Sequence, residues 1–512
     1  MLQYFFAKKV NGVPTEGLFT GLKVADQPKV MAYQGQYPVL FISFKDIKGK
    51  TFEAILGMLK SEFVGLYKAH EYLLDSTKVK DWQKVVFESF LTESAKPAAY
   101  KRAFQFLCEL LYQHTEKKAI LLIDEYDTPI HDAYVHKYYE KCIETLGPLL
   151  STALKGNPYL EKSVITGILK VGKASIFSGL NNVEVHTVLD KGYAQYFGFT
   201  EAETQGLLER AGLPQDIPAL KAMYNGYQIG DCTLYNPFSI VCFIKEALGG
   251  SPDDFEDALR PYWINTSSHL LLHHMIAANL SKLQPGLSQL FQQQPLEAPI
   301  TTDIVFRPSL KTNTKAFWGL LLLAGYLKAT GRRRAEVGPD EEIYSLVFPN
   351  REILKRMQSL LIEVVSDQEE GHFELWMKAL LEGDIETFSS SLNAYLLHAP
   401  SFLDTSGAYK EQFYHGLLLG LLAYLRGSYQ ITSNRESGLG RYDISLAPLD
   451  TRKQGIILEL KAAEEGEDLK ALAAAAKAQI AEKGYVTEME GRGITNILTV
   501  GISFCGKKAV VV

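Results

Sequence analysis

Residues 456–461 read IILELK, an apolar strand that ends in a charged pair, and this segment constrains the fold more than any other. Period-2 alternation along a strand places Glu459 and Lys461 on one face and Leu458 and Leu460 on the other. Ionised side chains are rarely placed on a buried strand unless something pairs with them. The pattern therefore indicates a sheet with one apolar face and a charged cluster on the opposite face.

The residues around this strand predict an α-β-β-β-α-β order for the last third of the chain. We expect a helix over residues 412–425, a second helix over 467–483, and strands over 428–434, 442–446, 455–460 and 497–502. A hairpin centred near Arg452 would place position 443 opposite about position 461, which brings the carboxylates of Asp443 and Glu459 within cross-strand reach. Two carboxylates that close repel each other unless a divalent cation such as Mg²⁺ lies between them. A lysine beside the metal can orient or activate a water and stabilise the charge that develops on a phosphate.

This spacing, within the α-β-β-β-α-β order, resembles the PD-(D/E)XK nuclease superfamily. The longer runs SNRESG, GRYD and IILELK resemble the C-terminal domain of bacterial AAA-ATPase-like proteins that carry such a nuclease domain. The resemblance implies that Asp443, Glu459 and Lys461 form the catalytic cluster, with Asp443 and Glu459 binding Mg²⁺ or Mn²⁺. It also implies a role for Gln479, with Tyr485 beyond it.

Other residues near this cluster are accessory candidates. Glu436 is an accessory acidic residue by its position in the SNRESG run, and Glu411 or His415 could serve near the first helix. The structural alternative is that Glu459 and Lys461 simply pair on a strand and that Asp443 is a solvated acid near a turn.

In the first half of the chain, strand-like and helix-like segments alternate, which predicts an α/β architecture with a parallel sheet. We expect strands over residues 37–44 and 118–123 and a third that begins near 163. The second strand ends in DEYD and has the form of a Walker B strand. In that interpretation Asp124 holds Mg²⁺ through water and Glu125 polarises the attacking water. The alternative is a strand that ends in a solvated acidic turn.

The runs YPVLFISFKDIKG, ILLIDEYDTPIH, YNGYQIG, YNPFSI and RPYWINTSS resemble the AAA-ATPase-like domain of the same family. In that family a Walker A loop precedes the helix that MLQYFF continues, whereas this sequence contains no G-x-x-x-x-G-K-[ST] run. The run GILKVGK at 167–173 approaches the motif, but Ala174 stands where Ser or Thr must bind Mg²⁺. We therefore expect no ATP hydrolysis and only weak ATP binding, and truncation and true loss of the loop both remain open.

A length of 512 residues predicts two to four domains. We expect an AAA-ATPase-like α/β domain over residues 1–200, a helical, winged-helix-like region over 201–370 and a PD-(D/E)XK domain over 371–512. No segment approaches the ~20 continuous apolar residues of a membrane helix, and the start lacks the features of a signal peptide. The five cysteines are scattered, as in reduced proteins without a structural zinc site. These features predict a cytoplasmic protein.

Two functions remain open at this point. The first is a metal-dependent nuclease attached to a P-loop NTPase-like module that is truncated or degenerate. The second is a non-catalytic scaffold that binds nucleic acid or protein. The net charge of −6 gives no whole-chain argument for nucleic acid, so binding would need a local basic surface. The type of nucleic acid and the oligomeric state stay open.

Overall fold

The computed structural model describes residues 1–168, 183–214, 218–249, 258–263, 270–291, 293–302, 306, 310, 312–334, 342–366, 370–398, 414–415, 418–419, 421–422, 425, 428–437, 440–464 and 466–512. The chain divides into two compact units. One comprises Met1–Thr187 with Thr301–Leu310, and the other Val188–Ile300 with Lys311–Val512. Within the described ranges, no helix has both the length and the apolar character needed to cross a membrane.

The first unit contains a parallel three-stranded sheet. Its strands are, in spatial order, β3 (Val39–Ser43), β4 (Ala119–Asp124) and β5 (Leu160–Ile165), and a short hairpin of β1 (Lys9–Val10) and β2 (Val13–Pro14) precedes them. The longer helices are Phe52–Lys68, Asp81–Leu91, Ala103–Thr115, Thr128–Val135 and Tyr139–Leu154, and the shorter ones Leu2–Phe6, Pro28–Met31, Pro97–Tyr100, Lys23–Asp26 (3-10) and Glu71–Asp75 (3-10). The predicted α/β class and parallel sheet are confirmed.

The apolar run of β4 explains why it lies in the centre of this sheet. Its first five residues are all buried, as expected of a parallel strand covered on both faces. On one face, Ile120 and Leu122 pack with Val39, Ala7 and Val10. The central strand is thereby fixed, and its acidic end lies at the carboxyl edge of the sheet.

The second unit begins with helices and two small sheets. Strands β6 (Tyr227–Ile229) and β7 (Cys232–Leu234) form a hairpin, and β8 (Leu296–Pro299), β9 (Lys328–Arg334) and β10 (Glu342–Val347) form a sheet in the order β8-β10-β9. The helices of this part are Glu201–Arg210, Pro218–Tyr224, Pro237–Gly249, Leu270–Phe291, Thr314–Leu323, Arg351–Ser366, Glu370–Glu382, Ile385–His398 and Ala194–Tyr196 (3-10).

The C-terminal part of this unit is a five-stranded sheet. Its strands follow one another in space as β11 (Tyr429–Ser437), β12 (Gly440–Pro448), β13 (Gly455–Ala462), β14 (Ile497–Cys505) and β15 (Lys508–Val511). Only β13 and β14 pair in parallel among them, and the helix Leu469–Lys483, here called the alanine-rich helix, connects the two, followed by the short helix Thr487–Glu490. Of the predicted helix 412–425, residues 414–415, 418–419 and 421–422 are helical and most others lie outside the described residues.

One face of the five-stranded sheet carries the main core. Leu458, Leu460, Val500 and Ile502 are fully buried there, and the helices Glu370–Glu382 and Ile385–His398 contribute to the same cluster. The predicted mixed α/β C-terminal domain is therefore observed, with β15 as an additional strand.

Candidate active site

Strands β12 and β13 pair as an antiparallel hairpin, and their ladder ends where the candidate catalytic residues begin. The last pair of the ladder is Ile444 opposite Leu458. The same register places Asp443 opposite Glu459 rather than opposite position 461, so this detail of the prediction is wrong. The hairpin is centred at residue 451, one residue earlier than predicted. Because moving the centre by one residue moves the partner on the opposite strand by two, Asp443 lies opposite Glu459.

Beyond that pair, carboxylate oxygens of side chains, and not backbone carbonyls, accept hydrogen bonds from backbone N–H groups across the two strands. Asp443 Oδ2 accepts a hydrogen bond from the Leu460 N–H at 2.8 Å. Glu459 Oε2 accepts a long one, 3.4 Å, from the Asp443 N–H. Each carboxylate thus satisfies a backbone donor of the opposite strand, which an opened ladder would otherwise leave without a partner. The local opening of the sheet brings the two acidic groups together.

Glu459 is deeply buried, with 2% of its surface exposed. Gln479 Nε2 donates a hydrogen bond to Glu459 Oε1, and Lys461 Nζ lies 3.5 Å from the same oxygen. Burial, followed by the nearby charge of Asp443, raises the pKa of Glu459 to about 7. Burial also raises the pKa of Asp443, although the Leu460 N–H opposes this. Such a pair is stabilised by a cation that replaces the bound proton.

The alanine-rich helix brings Gln479 to Glu459. Asp468 caps its start by accepting hydrogen bonds from two backbone N–H groups at 2.9 and 3.2 Å. Gly484 ends it in the left-handed region, with φ at 64°. The amide of Gln479 also donates to the Tyr485 hydroxyl at 3.3 Å. Its two hydrogens therefore have two acceptors, which fixes the orientation of the amide.

The accessory candidates are placed less completely. His415 Nε2 lies 3.1 Å from the backbone oxygen of Asp443 and 3.1 Å from Ser433 Oγ, so it links β11 and β12 beside the cluster. Glu436 pairs with Arg441 through the backbone of the same strands, but its side chain lies outside the described residues. Glu411 lies outside them as well.

The donor set at Asp443 and Glu459 determines which metal would fit. Among the described residues, no group of three or more His, Cys, Asp or Glu side chains could hold a metal ion. A closed zinc or calcium cage is therefore a poor fit here. Mg²⁺ commonly uses one or two carboxylates, and water and substrate phosphate oxygens complete its octahedral shell. Two adjacent carboxylates of raised pKa suit that kind of ion.

The Walker B-like residues lie at the carboxyl edge of the parallel sheet. Thr166 Oγ1 donates to Asp124 Oδ1 at 2.5 Å. Glu125 has a left-handed backbone, with φ at 51°, and its Oε2 accepts a hydrogen bond from Thr128 Oγ1 at 3.2 Å. Residues 169–182, which include most of the GILKVGK run, lie outside the described residues. The two acids are thus placed where α/β proteins bind ligands.

Asp132 is a residue of this region that the sequence patterns did not reveal. Its Oδ2 accepts hydrogen bonds from the Gly49 N–H at 2.7 Å and from the Tyr138 hydroxyl at 3.0 Å. It therefore ties the loop after β3 to the helix Thr128–Val135. The contact spans more than 80 residues of sequence, and no local spacing rule could have indicated it.

Comparisons with known proteins show what parts of the chain are similar to. Residues 1–177 match the family model described as a predicted AAA-ATPase, and residues 409–512 match that of the PD-(D/E)XK nuclease superfamily. An uncharacterized protein in the vnfD 5′ region of Azotobacter chroococcum mcd 1 is 24% identical over 358 residues, which cover 68% of this chain and 58% of that protein. No solved structure matches the chain.

These matches cover both ends of the chain, and the second includes the whole Asp443–Glu459–Lys461–Gln479 cluster. They agree with the resemblance noted in the sequence. The chain carries an AAA-ATPase-like domain at its N-terminus and a PD-(D/E)XK nuclease superfamily domain at its C-terminus.

Proposed function

We propose that the C-terminal domain hydrolyses phosphodiester bonds of nucleic acid, with Mg²⁺ or Mn²⁺ bound by Asp443 and Glu459. The observation that supports this most strongly is that the β12–β13 ladder ends at these two residues, where each carboxylate accepts a hydrogen bond from a backbone N–H of the opposite strand. A purely structural Glu459–Lys461 pair would not require the Asp443 carboxylate on the neighbouring strand, because both residues of the pair lie on β13. Placing two carboxylates face to face costs free energy, and binding a divalent cation offsets that cost.

In this proposal each residue of the cluster has a different role. Asp443 and Glu459 supply the carboxylate oxygens, and the Gln479 amide holds one Glu459 oxygen in a fixed direction. Lys461 is partly exposed, with 30% of its side chain accessible, so its ammonium can contact both Glu459 and an incoming phosphate. There it stabilises the negative charge that develops as the phosphodiester is attacked. The metal, when bound, supplies Lewis-acid stabilisation of the phosphate and lowers the pKa of its bound water.

We infer that this activity does not depend on ATP in this chain. Asp124 and Glu125 occupy the edge of the sheet where a Walker B pair would act, but the sequence holds no Gly-rich phosphate loop to accompany them. Cleavage by the chain should therefore proceed at the same rate with and without ATP, and Asp124→Ala should leave it unchanged. A rate that rises with ATP and falls in Asp124→Ala would contradict this inference.

The test of the proposed function is a cleavage assay on the full chain. End-labelled single- and double-stranded DNA and RNA are incubated with Mn²⁺, with Mg²⁺ or with EDTA. We expect metal-dependent cleavage of at least one of these polymers, and a loss of roughly 100-fold or more in Asp443→Ala and in Glu459→Ala. Glu482→Gln, which neutralises an exposed acid on the alanine-rich helix, is the matched control and should cleave like the wild type.

Two results would contradict the proposal. Cleavage that persists in both carboxylate variants would place the activity elsewhere. Binding of a polymer by the wild type, without cleavage under any metal condition, would favour the non-catalytic scaffold.

A further inference from the structure

Strand β14 lies beside the strand that carries the candidate catalytic residues. The two strands are parallel, and Gly501 is the partner of Glu459 in their register. Paired residues of neighbouring strands project to the same face of a sheet. A side chain at position 501 would therefore project from the face of the sheet on which Glu459 contacts Gln479.

The alanine-rich helix fills the space above Gly501. A Cβ atom built on Gly501 would lie 2.1 Å from the backbone oxygen of Ala473 and 2.5 Å from the backbone nitrogen of Lys477. Both are backbone atoms, so no change of side-chain rotamer could relieve the contact. Because Gly501 has no positive φ, it is the lack of space, and not backbone conformation, that requires glycine at this position.

Small side chains on the facing side of the helix complete this close approach. Ala473 and Ala476 are fully buried. Ser503, two residues beyond Gly501, donates a hydrogen bond from Oγ to the Leu469 oxygen at 2.6 Å. The helix backbone therefore lies directly on β14, and Gln479 follows Lys477 by half a turn of the same helix.

We propose that Gly501 is a positioning residue of the active site: by having no side chain, it sets the distance at which the alanine-rich helix presents Gln479 to Glu459. This inference rests on the proposed nuclease function of the same cluster. A methyl group at position 501 would require the helix to move by more than about 1 Å to reach ordinary contact distance. A hydrogen bond lengthened by that much is lost, and a displacement of about 1 Å at a catalytic group can lower the rate by about 100-fold.

The test is a double-mutant cycle in the full chain, made of Gly501→Ala, Gln479→Ala and the combination of the two. The readouts are the rate of metal-dependent cleavage and the affinity for Mn²⁺, measured on protein shown to be folded by circular dichroism. Gly491→Ala is the matched control, because Gly491 has a helical φ of −61° and its nearest contact for a new Cβ is 3.4 Å away.

If Gly501 acts through Gln479, each single variant lowers cleavage by a similar factor, on the order of 10-fold to 100-fold, and the double variant is no slower than Gln479→Ala alone. A merely structural role for Gly501 predicts the opposite, with the two losses multiplying. Multiplying losses, or a Gly501→Ala protein as active as the wild type, overturn the inference and leave the proposed function standing. A wild type without metal-dependent cleavage overturns both.

Ser503→Ala decides the question if Gly501→Ala does not fold. This variant removes the Ser503–Leu469 hydrogen bond and adds no atoms, so it loosens the helix on β14 without a clash. We expect a loss of roughly threefold in cleavage, absent when Gln479 is already alanine. A Ser503→Ala protein that cleaves at the wild-type rate overturns the inference.

Discussion

Glu459 combines burial with several donors around one carboxylate. The Gln479 amide, the Lys461 ammonium and the Asp443 N–H all approach it. These donors stabilise the ionised form, yet burial and the charge of Asp443 outweigh them and raise the pKa to about 7. The hydrogen-bond donors alone therefore do not offset the cost of ionising this buried carboxylate. A divalent cation would offset it, as expected of a metal ligand.

This balance predicts how pH affects the metal-free protein. Between the ordinary value of 4.5 and about 7, the folded state keeps a proton on Glu459 that the unfolded state has lost. The contribution of this group to stability is therefore complete below about pH 4.5 and is lost as the pH rises through about 7. The slope between these values is roughly 1.4 kcal/mol per pH unit.

The measurement compares melting of the wild type and of Glu459→Gln in EDTA across this pH range. Glutamine cannot titrate, so the variant should show a flatter dependence and a higher melting temperature than the wild type at the upper end of the range. Equal slopes in the two proteins would contradict the burial argument.

Alternation along β13 was enough to place Glu459 and Lys461 on one face, because the side-chain period of a strand is local. The predicted partner of Asp443 was wrong by two positions. The prediction used only the midpoint of the segment that connects the two strands, and this midpoint does not define the turn geometry. Only the resemblance indicated a role for Gln479, and its contact with Glu459 was not predicted. It depends on Gly501, whose close approach to the helix leaves no periodic signal in the sequence.

At the scale of elements, the positions of strands along the chain were easier to predict than the strands with which they pair. Strands β3 and β4 lie within two residues of their predicted limits, because each apolar run has turn residues on either side. The third strand was expected to begin near residue 163 but begins at Leu160, because residues 161–163 are polar and exposed and form no apolar run. Strand β9 carries three consecutive arginines, residues 332–334, and all three are exposed. Pairing with β10 holds this polar strand in place, a long-range contact that composition alone does not indicate.

A buried acid connects three segments of the second unit. Glu352, in the first turn of helix Arg351–Ser366, is fully buried and accepts hydrogen bonds from Ser239 Oγ at 2.9 Å and from the Trp263 N–H at 2.9 Å. Ser239 lies on helix Pro237–Gly249 and is fully buried too. Burial raises the pKa of Glu352, with the surrounding donors opposing it.

We predict that Glu352→Ala destabilises the protein by about 3 kcal/mol, because it leaves buried donors without their acceptor. Glu246→Ala is the control, since Glu246 forms an exposed ion pair with Arg260 at 3.3 Å and should cost less than about 1 kcal/mol. Urea unfolding followed by tryptophan fluorescence measures both. If the two variants unfold at the same urea concentration, the buried network does not connect these segments as described.

At the scale of the whole molecule, the two matched families occupy opposite ends of the chain. The predicted boundaries at 200 and 370 stay predictions, and the compact units provide a separate division at 187. Among the residues that the structure describes, the C-terminal core cluster, from Trp376 to Val511, contains none from the first 370. The domain therefore contains what it needs for a core of its own.

We accordingly predict that residues 371–512 fold without the rest of the chain. The purified fragment should give a mixed α/β circular dichroism spectrum and a cooperative melt. The companion fragment 1–370, which lacks the cluster, should show no change of melting on addition of Mn²⁺. A random-coil spectrum for residues 371–512 would show that its core depends on preceding residues.

Thermal melts of the full chain with and without millimolar Mn²⁺ test most directly whether Asp443 and Glu459 share a divalent cation. We expect Mn²⁺ to raise the melting temperature of the wild type, because a ligand that binds the folded state stabilises it. The rise should disappear in Asp443→Ala and in Glu459→Ala but largely remain in Lys461→Ala, since an ammonium group is no ligand for a hard cation. A wild type that gains nothing from Mn²⁺ or Mg²⁺, or an Asp443→Ala protein that gains as much as the wild type, would contradict the claim.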